Sequence, residues 1–342
     1  MNTIRWGMIG CGDVTEVKSG PAFQKANGSE LVAVMRRTRH LAEDYARRHN
    51  VPKWFDNADT LIDDPDVDAV YIATPPGSHL EYALKVCEAG KPAYVEKPMA
   101  RNYEECQQMI ASFRKNKLSL FVAFYRRGLP RFIKVKEIVD SGKLGKISIV
   151  QYHFSGPYHK NTDPDNLPWR LKAEQSGGGL FMDLGCHALD ILDFIFGPIN
   201  HVSGMAENIA SPYEVEDVVV MNYKFLSGIV GTASWNFAGN LNNDLIEIIG
   251  TNGYLSLSVF GNEPLQLKSG EKVEEYELPN PAHIQQPLIQ TIVDELLGCG
   301  TCPSTGESAS RTAYVMDVVL KDYYGSRSDD FWNRPDTWHG IK

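Results

Sequence analysis

Short, wholly apolar runs alternate with helix-period stretches over the first 124 residues. Ile4–Ile9, Leu31–Met35, Ala69–Ala73, Ala93–Val95 and Ser119–Ala123 read as buried strands, and Leu41–His49 and Ser78–Glu88 carry apolar residues at helical spacing. Such alternation predicts a parallel, doubly wound sheet, the α/β class. From residue 125 the pattern changes. A helix around Phe132–Ser141 leads to strand-like Ile147–Phe154, a polar Pro-containing loop over 156–175, and a helix from about Gly178 to Phe196. Strand-like runs follow at Val215–Phe225, Gly228–Phe237, Asp244–Ile249, Tyr254–Val259 and Leu265–Leu267, with turn signals at Leu226-Ser227-Gly228 and Thr251-Asn252-Gly253. Helices near Gln285–Leu297 and Ser308–Tyr324 precede an aromatic tail, Phe331 to Trp338, that should dock. The expectation is an α/β domain over 1–124 followed by an α+β domain over 125–342 with a large, mostly antiparallel open sheet.

Charge and cysteine usage narrow the function. Acidic residues outnumber basic ones 43 to 34, and a net charge of −9 repels phosphate backbones and anionic lipid. Nucleic acid and membrane are therefore not expected partners. No apolar run approaches the ~18–20 residues of a bilayer span, and Met1–Trp6 lacks a cleavable signal pattern, so a cytoplasmic location is expected. Cys299-Gly300-Thr301-Cys302 has C-x-x-C spacing, but no second ligand pair accompanies it and its surroundings are loop-like. It reads as two reduced loop thiols, and no metal site is expected.

Gly10-Cys11-Gly12-Asp13-Val14-Thr15 follows the first strand directly. The first glycine permits a tight turn, and the second lets a backbone approach a pyrophosphate at a helix N-terminus. Thr15 stands where a third glycine is usual, and Gly20-Pro21 should interrupt the next helix, which would loosen its packing without removing the cradle. At the end of the second strand, an NAD site wants an acid for the ribose hydroxyls. This chain has Met35-Arg36-Arg37-Thr38-Arg39 instead. Arginine forks suit a 2′-phosphate, although exposed arginines at a loop start are also common. NADP(H) is thus expected over NAD(H).

Glu96-Lys97-Pro98 ends the strand Ala93–Val95, at the sheet edge where ligands bind in this architecture. Lys97 there could stabilise developing negative charge on a substrate oxygen. Asp183 and His187 stand four apart after Gly177-Gly178-Gly179, with Asp190 one turn further on and Phe194 ending the polar face. An imidazole with a carboxylate one turn away suits general acid–base work. Each motif alone is as readily an exposed lysine or a surface ion pair.

Together these residues resemble the glucose–fructose oxidoreductase/inositol dehydrogenase/MocA (Gfo/Idh/MocA) family. The motifs that carry the resemblance are Gly10-Cys11-Gly12, Tyr71 to His79, Ala89-Gly90-Lys91 with Glu96-Lys97-Pro98, and Gly177 to Asp190. Gly228 and Gly250-Thr251-Asn252-Gly253 echo it further along. The resemblance implies a Rossmann domain joined to a domain whose open sheet mediates homodimers or homotetramers. It also implies Lys97, Asp183 and His187 as the catalytic set, with Arg126 beside the substrate. Thr74, Pro75, His79, Glu96, Trp169 and Arg170 would line the cofactor with the glycine turn. The implied substrate is a sugar, polyol or related cyclic hydroxy or keto compound, chosen by residues such as Tyr158, His159, Trp169, Trp235 and Asn236. Two other readings stay open: a nucleotide-sensing regulator, and a non-redox glycoside-cleaving enzyme with tightly held dinucleotide.

Overall fold

The computed structural model describes residues 3–156 and 162–339. Tyr158 and His159 lie outside the described residues. Two compact units are present, the first made of Met1–Ala100, Glu105–Leu129 and Pro281–Ser310. Its sheet comprises β1 (Ile4–Ile9), β2 (Ser29–Met35), β3 (Lys53–Phe55), β4 (Ala69–Ile72), β5 (Ala93–Val95) and β6 (Leu120–Val122), in the order β3-β2-β1-β4-β5-β6. Every neighbouring pair is parallel. The order reverses between β1 and β4, which places the C-terminal ends of those strands, Gly10 and Thr74, at the topological switch point. The α/β expectation is met. β3 was not foreseen because its three half-buried residues are too few to establish a period. The returning segment adds to the far edge: Val122 N donates to Ser304 O at 3.2 Å, and Phe121 bridges Thr305.

The second unit, Arg101–Glu104, Pro130–Asn280 and Arg311–Lys342, contains β7 (Ile147–Ser155), β8 (Ile199–Glu207), β9 (Val218–Phe225), β10 (Val230–Asn236), β11 (Asn243–Gly250), β12 (Tyr254–Leu257), β13 (Leu265–Ser269) and β14 (Lys272–Tyr276). They form one open sheet in the order β14-β13-β12-β11-β7-β10-β9-β8, antiparallel except for the β7–β10 pair. Strict alternation of buried and exposed residues in β9 marks a sheet with one covered face. The helix Cys186–Phe196 covers it: Phe196 packs 5.1 Å from Phe225, and Phe181, just before the helix, meets Trp235 edge-on at 4.8 Å. On the opposite face Met205, Val220 and Val230 are exposed, and the first two border a depression of about 430 Å³ that also takes in His153, Asn222 and Ser234.

Both turns foreseen in the second unit join antiparallel neighbours. Gly228 adopts φ +93° between β9 and β10, and Gly250 N donates to Gly253 O at 2.8 Å between β11 and β12. β8 and β14 lie outside the predicted strands, since β8 mixes polar and apolar residues with little burial and β14 is a charged edge. The tail docks: Phe331 and Trp338 are buried against Tyr324 at 5.0 and 4.7 Å. Among the described residues no helix is long and apolar enough to cross a membrane.

Candidate active site

In the first unit, Gly10 turns at φ +92°, where a side chain would lie 2.9 Å from both Ala73 O and Thr74 Cγ2. Its amide and that of Cys11 donate to Met35 O at 2.9 and 3.3 Å, fastening the turn to the end of β2. Among the described residues, a side chain on Gly12 would meet no atom within 4 Å. Gly10 is therefore required by the fold, whereas Gly12 leaves a space that a Cβ would fill. That space lies at a helix start, where the amides and the dipole favour an anion. Asp13 is exposed and Val14 half-buried at that start.

Thr15 tightens the turn rather than loosening it. It is wholly buried, and its Oγ1 donates to Gly12 O at 2.7 Å. The helix is not interrupted at Gly20-Pro21 either, but widens to π pitch over Thr15–Ser19 and resumes α pitch at Gly20. Proline has no N–H to give the ladder. Thr15 O accepts the π-pitch bond from Gly20 N and also takes the Tyr45 hydroxyl at 2.9 Å, while Val17 O, which Pro21 cannot serve, pairs with His283 Nδ1 at 2.7 Å and Lys18 O takes Gln285 N at 3.2 Å. Burial pushes the Cys11 thiol up to about 11, so it stays protonated and acts only as packing.

Arg36 reaches back over the turn, with Nη1 3.3 Å from Cys11 O. Arg37 and Arg39 are exposed beside it, Arg39 lying 5.2 Å over the Trp54 ring. Cations thus line the end of β2, where a dinucleotide's ribose belongs in this fold.

Glu96 is almost fully buried at the end of β5. Its Oε1 accepts from Tyr71 Oη and from Gln285 Nε2, both at 2.6 Å, and its Oε2 accepts from Lys97 N at 3.1 Å. Tyr94 Oη closes the network on Gln285 Oε1 at 2.9 Å. The carboxylate therefore braces Lys97 from beneath, and burial raises both phenols well above their ordinary range. Lys97 itself is half-buried, and its bond to Pro98 is cis. His79 is likewise a brace. It is wholly buried, with Nε2 2.7 Å from Thr74 O and Nδ1 3.2 Å from Pro98 O and Met99 O. Desolvation lowers its pKa. It ties Thr74 and Pro75, half-exposed at the end of β4, to the loop after Lys97. Arg126 is buried in the turn Tyr125–Gly128, its guanidinium 4.9 Å from the Tyr125 ring.

In the second unit, Asp183 and His187 do share one helical segment, but not one uniform pitch. Asp183 lies in a π turn, Phe181–Gly185, and His187 in the α-helix that continues it. Both are nearly buried, and Phe260 meets the imidazole edge-on at 5.8 Å. Arg170 Nε donates to Asp183 Oδ2 at 2.9 Å, and the same guanidinium lies 4.5 Å from the Trp169 ring. Sequence spacing gave no hint of that pair, thirteen residues apart across a loop. Asp190 is buried on the same helix, and Asp193 is held by both nitrogens of the Arg311 fork at 2.7 Å. Of the loop thiols, Cys299 is exposed, whereas Cys302 is buried and its thiol is pushed up to about 11. Among the described residues no group of three or more His, Cys, Asp or Glu side chains could hold a metal ion.

A dinucleotide fold with a glycine turn at the switch point, joined to a second unit, is the setting of a nicotinamide-dependent dehydrogenase or reductase, the class to which the matched relatives belong. Residues 4–124 match the model of the oxidoreductase family with an NAD-binding Rossmann fold, and residues 132–256 match the GFO/IDH/MocA C-terminal domain. The chain is 38% identical to oxidoreductase P35 of Formosa agariphila over 92% of its own length and 98% of the relative's. It is 28% identical to the 1,5-anhydro-D-fructose reductase of Ensifer adhaerens, covering 93% of this chain and 95% of that one. Among solved structures, the aldose–aldose oxidoreductase of Caulobacter crescentus, complexed with glycerol, superposes with a TM-score of 0.82 at 23% identity, over 93% of this chain and 97% of that one. The chain belongs to the Gfo/Idh/MocA oxidoreductase family.

Proposed function

We propose that this protein is an NADP(H)-dependent oxidoreductase of sugars, polyols or related cyclic hydroxy and keto compounds. The first unit, completed by the returning segment Pro281–Ser310, serves the cofactor, and the second serves the substrate and association between copies. The observation that carries this reading is the pair of nearly buried groups Asp183 and His187 on one helical segment, with Arg170 bound to the acid. A reductase acting on 1,5-anhydro-D-fructose, a cyclic keto sugar, is among the relatives. When bound, the nicotinamide supplies or accepts the hydride. Gly10, Cys11, Gly12, Asp13 and Val14 hold the pyrophosphate, and Arg36 with Arg37 take the 2′-phosphate. Thr74, Pro75, Glu96, Trp169 and Arg170 shape the rest of the cofactor site, and His79 supports it from behind.

His187 takes the hydroxyl proton during oxidation and returns it during reduction, since imidazole is poised for this near neutral pH. Lys97 donates to the same oxygen and stabilises the charge that develops on it. Asp183 orients substrate and imidazole, and Arg126 contacts substrate. A screen of sugars, polyols and keto sugars against NADPH, NADH and their oxidised forms, read at the nicotinamide absorbance, tests this. Lys97→Ala and His187→Ala should each reduce turnover by orders of magnitude while cofactor still binds. Full activity in both variants would overturn the roles assigned. A bound dinucleotide that never exchanges would favour the glycoside-cleaving reading, and no response to any sugar would favour a regulator.

The same proposal has copies of the chain pairing through the open face of the eight-stranded sheet. Exposed Met205, Val220 and Val230 support it, being poor residues to leave in water on a broad face. Light scattering of the Met205→Asp, Val220→Lys double variant should report monomers where the native chain gives dimers or tetramers.

A further inference from the structure

We propose that Glu216 is a positioning residue of this active site, its carboxylate fixing the Gly179 amide and thereby the start of the segment that carries Asp183 and His187. Glu216 is completely buried just before β9, and it lies far from both groups in sequence. Its two oxygens accept from Gly179 N at 3.0 and 2.9 Å, and Oε2 also accepts from the Tyr324 hydroxyl. Gly179 O in turn accepts from Met182 N at 3.1 Å, and Asp183 is the next residue. Gly179 thus links the carboxylate to the π turn, its N–H held by Glu216 and its C=O by the Met182 amide.

Two of the glycines preceding that turn are required by close approaches, Gly179 to Glu216 itself and Gly177 to Arg101. A side chain on Gly179 would lie 2.5 Å from Glu216 O and 3.0 Å from its Cδ. Gly177, at φ +84°, would bring one 2.4 Å from Arg101 O. Arg101 O is itself held by Arg327 Nη2 at 2.8 Å, and Arg327 Nε is bound to Asp317 at 2.8 Å. Among the described residues, the charged and titratable groups that act on Glu216 include Tyr323 and Tyr324, at the end of the helix Gly306–Tyr324, and Arg327 just after it. Desolvating a carboxylate is costly even after relaxation. An apolar residue would fill the space without that cost but would leave the Gly179 amide without its acceptor. The carboxylate's specific contribution is thus the geometry of the turn it holds.

The inference rests on Asp183 and His187 being the acid–base pair, and its test needs no turnover. The Cε1–H resonance of His187, assigned with His187→Asn, is titrated by NMR in the native chain, Glu216→Gln and Tyr324→Phe, with NADPH bound and without. Amide exchange over 179–187 and the melting temperature are measured alongside. Glutamine keeps the volume and one acceptor oxygen but presents an amide group where the second acceptor stood. Glu216→Gln should stay folded, shift the His187 midpoint by about 0.5 pH unit or more, and speed exchange of those amides about tenfold. An unmoved midpoint with unchanged exchange in the folded variant would overturn the proposal. Should Glu216→Gln fail to fold, Tyr324→Phe, which withdraws only the phenol from the carboxylate, decides by the same two readouts. Full activity in His187→Ala would instead overturn the acid–base assignment, and the NMR result would stand apart from it.

Discussion

Arg170 binds Asp183 through Nε, 2.9 Å from Oδ2, reaching from a short 3-10 turn to a π turn of the same unit. The arginine side chain is 47% exposed and the aspartate 12%, so the pair contributes little to stability, about 0–1 kcal/mol. Its effect should fall on orientation. A misplacement of about 1 Å in a reacting group can cost about 100-fold in rate. Arg170→Ala should therefore lower kcat/KM by about tenfold to 100-fold while moving the melting temperature by less than about 2 °C. Arg170→Lys should recover only part of this, because a point charge cannot reproduce the guanidinium geometry. Steady-state kinetics beside calorimetry separates the two effects, and a large loss of stability with unchanged kcat/KM would refute the orienting role.

The two glycines of the first turn should respond oppositely to alanine. Gly10 combines a positive φ with backbone 2.9 Å away, so Gly10→Ala should lose about 1–3 kcal/mol of stability. Gly12 faces open space, so Gly12→Ala should melt as the native chain does. Its methyl would occupy the room left for a phosphate, and NADPH should bind at least about tenfold more weakly. Fluorescence titration of NADPH against both variants checks the contrast.

That contrast also marks what could be read from sequence. The turn, the strand end carrying Lys97 and the helix carrying Asp183 and His187 were legible because each is a local pattern, a period followed by a breaker. Partners that come from a distant part of the chain were not. Gln285 and Tyr94 stand 189 and two residues from Glu96 by number, yet one buried network joins all three. Glu216 appears in sequence as the first of two acids heading an apolar run, and only its complete burial distinguishes it from a solvated edge. The same limit hid the composition of the first unit. A boundary drawn at one place cannot describe a chain that returns with Pro281–Ser310. His79 illustrates a different gap: a motif fixes the position of a residue in the chain, whereas the direction of its ring depends on which carbonyls surround it.

Cofactor choice should follow the end of β2. Arg36 is already steered toward the turn by Cys11 O at 3.3 Å, while Arg37 is exposed. A hydrogen bond to a charged group contributes about 1.5–3 kcal/mol, which corresponds to roughly tenfold or more in affinity for each arginine that engages the phosphate. Arg36→Ala and Arg37→Ala should each raise KM for NADPH by about that factor and leave KM for NADH within about twofold. An equal loss for both nucleotides would assign the arginines to the pyrophosphate, and no loss for either would remove them from the site. A native preference for NADH would refute the 2′-phosphate assignment outright.

Buried Glu216 should also leave a signature in the pH dependence of stability. Burial raises its carboxyl from 4.5 to about 7, against the opposing pull of the Tyr324 hydroxyl, the Gly179 amide and the Arg327 cation. Across that window the folded chain keeps a proton that the unfolded chain has released. Stability must therefore fall as pH rises from about 4.5 to 7, and the loss is complete above the folded value. His79 acts with the opposite sign. Its folded pKa lies below 6.5, so the unfolded chain gains a proton first and stability falls as pH drops through that value. The two trends overlap in the native chain, but Glu216→Gln removes only one of them. Subtracting the unfolding free energies of the variant from those of the native chain, measured in urea from pH 5 to 8, should give a difference that declines steadily toward pH 7 and then levels. A flat difference would mean that the carboxylate is ionised throughout, and that the cation and hydrogen bonds around it outweigh its burial.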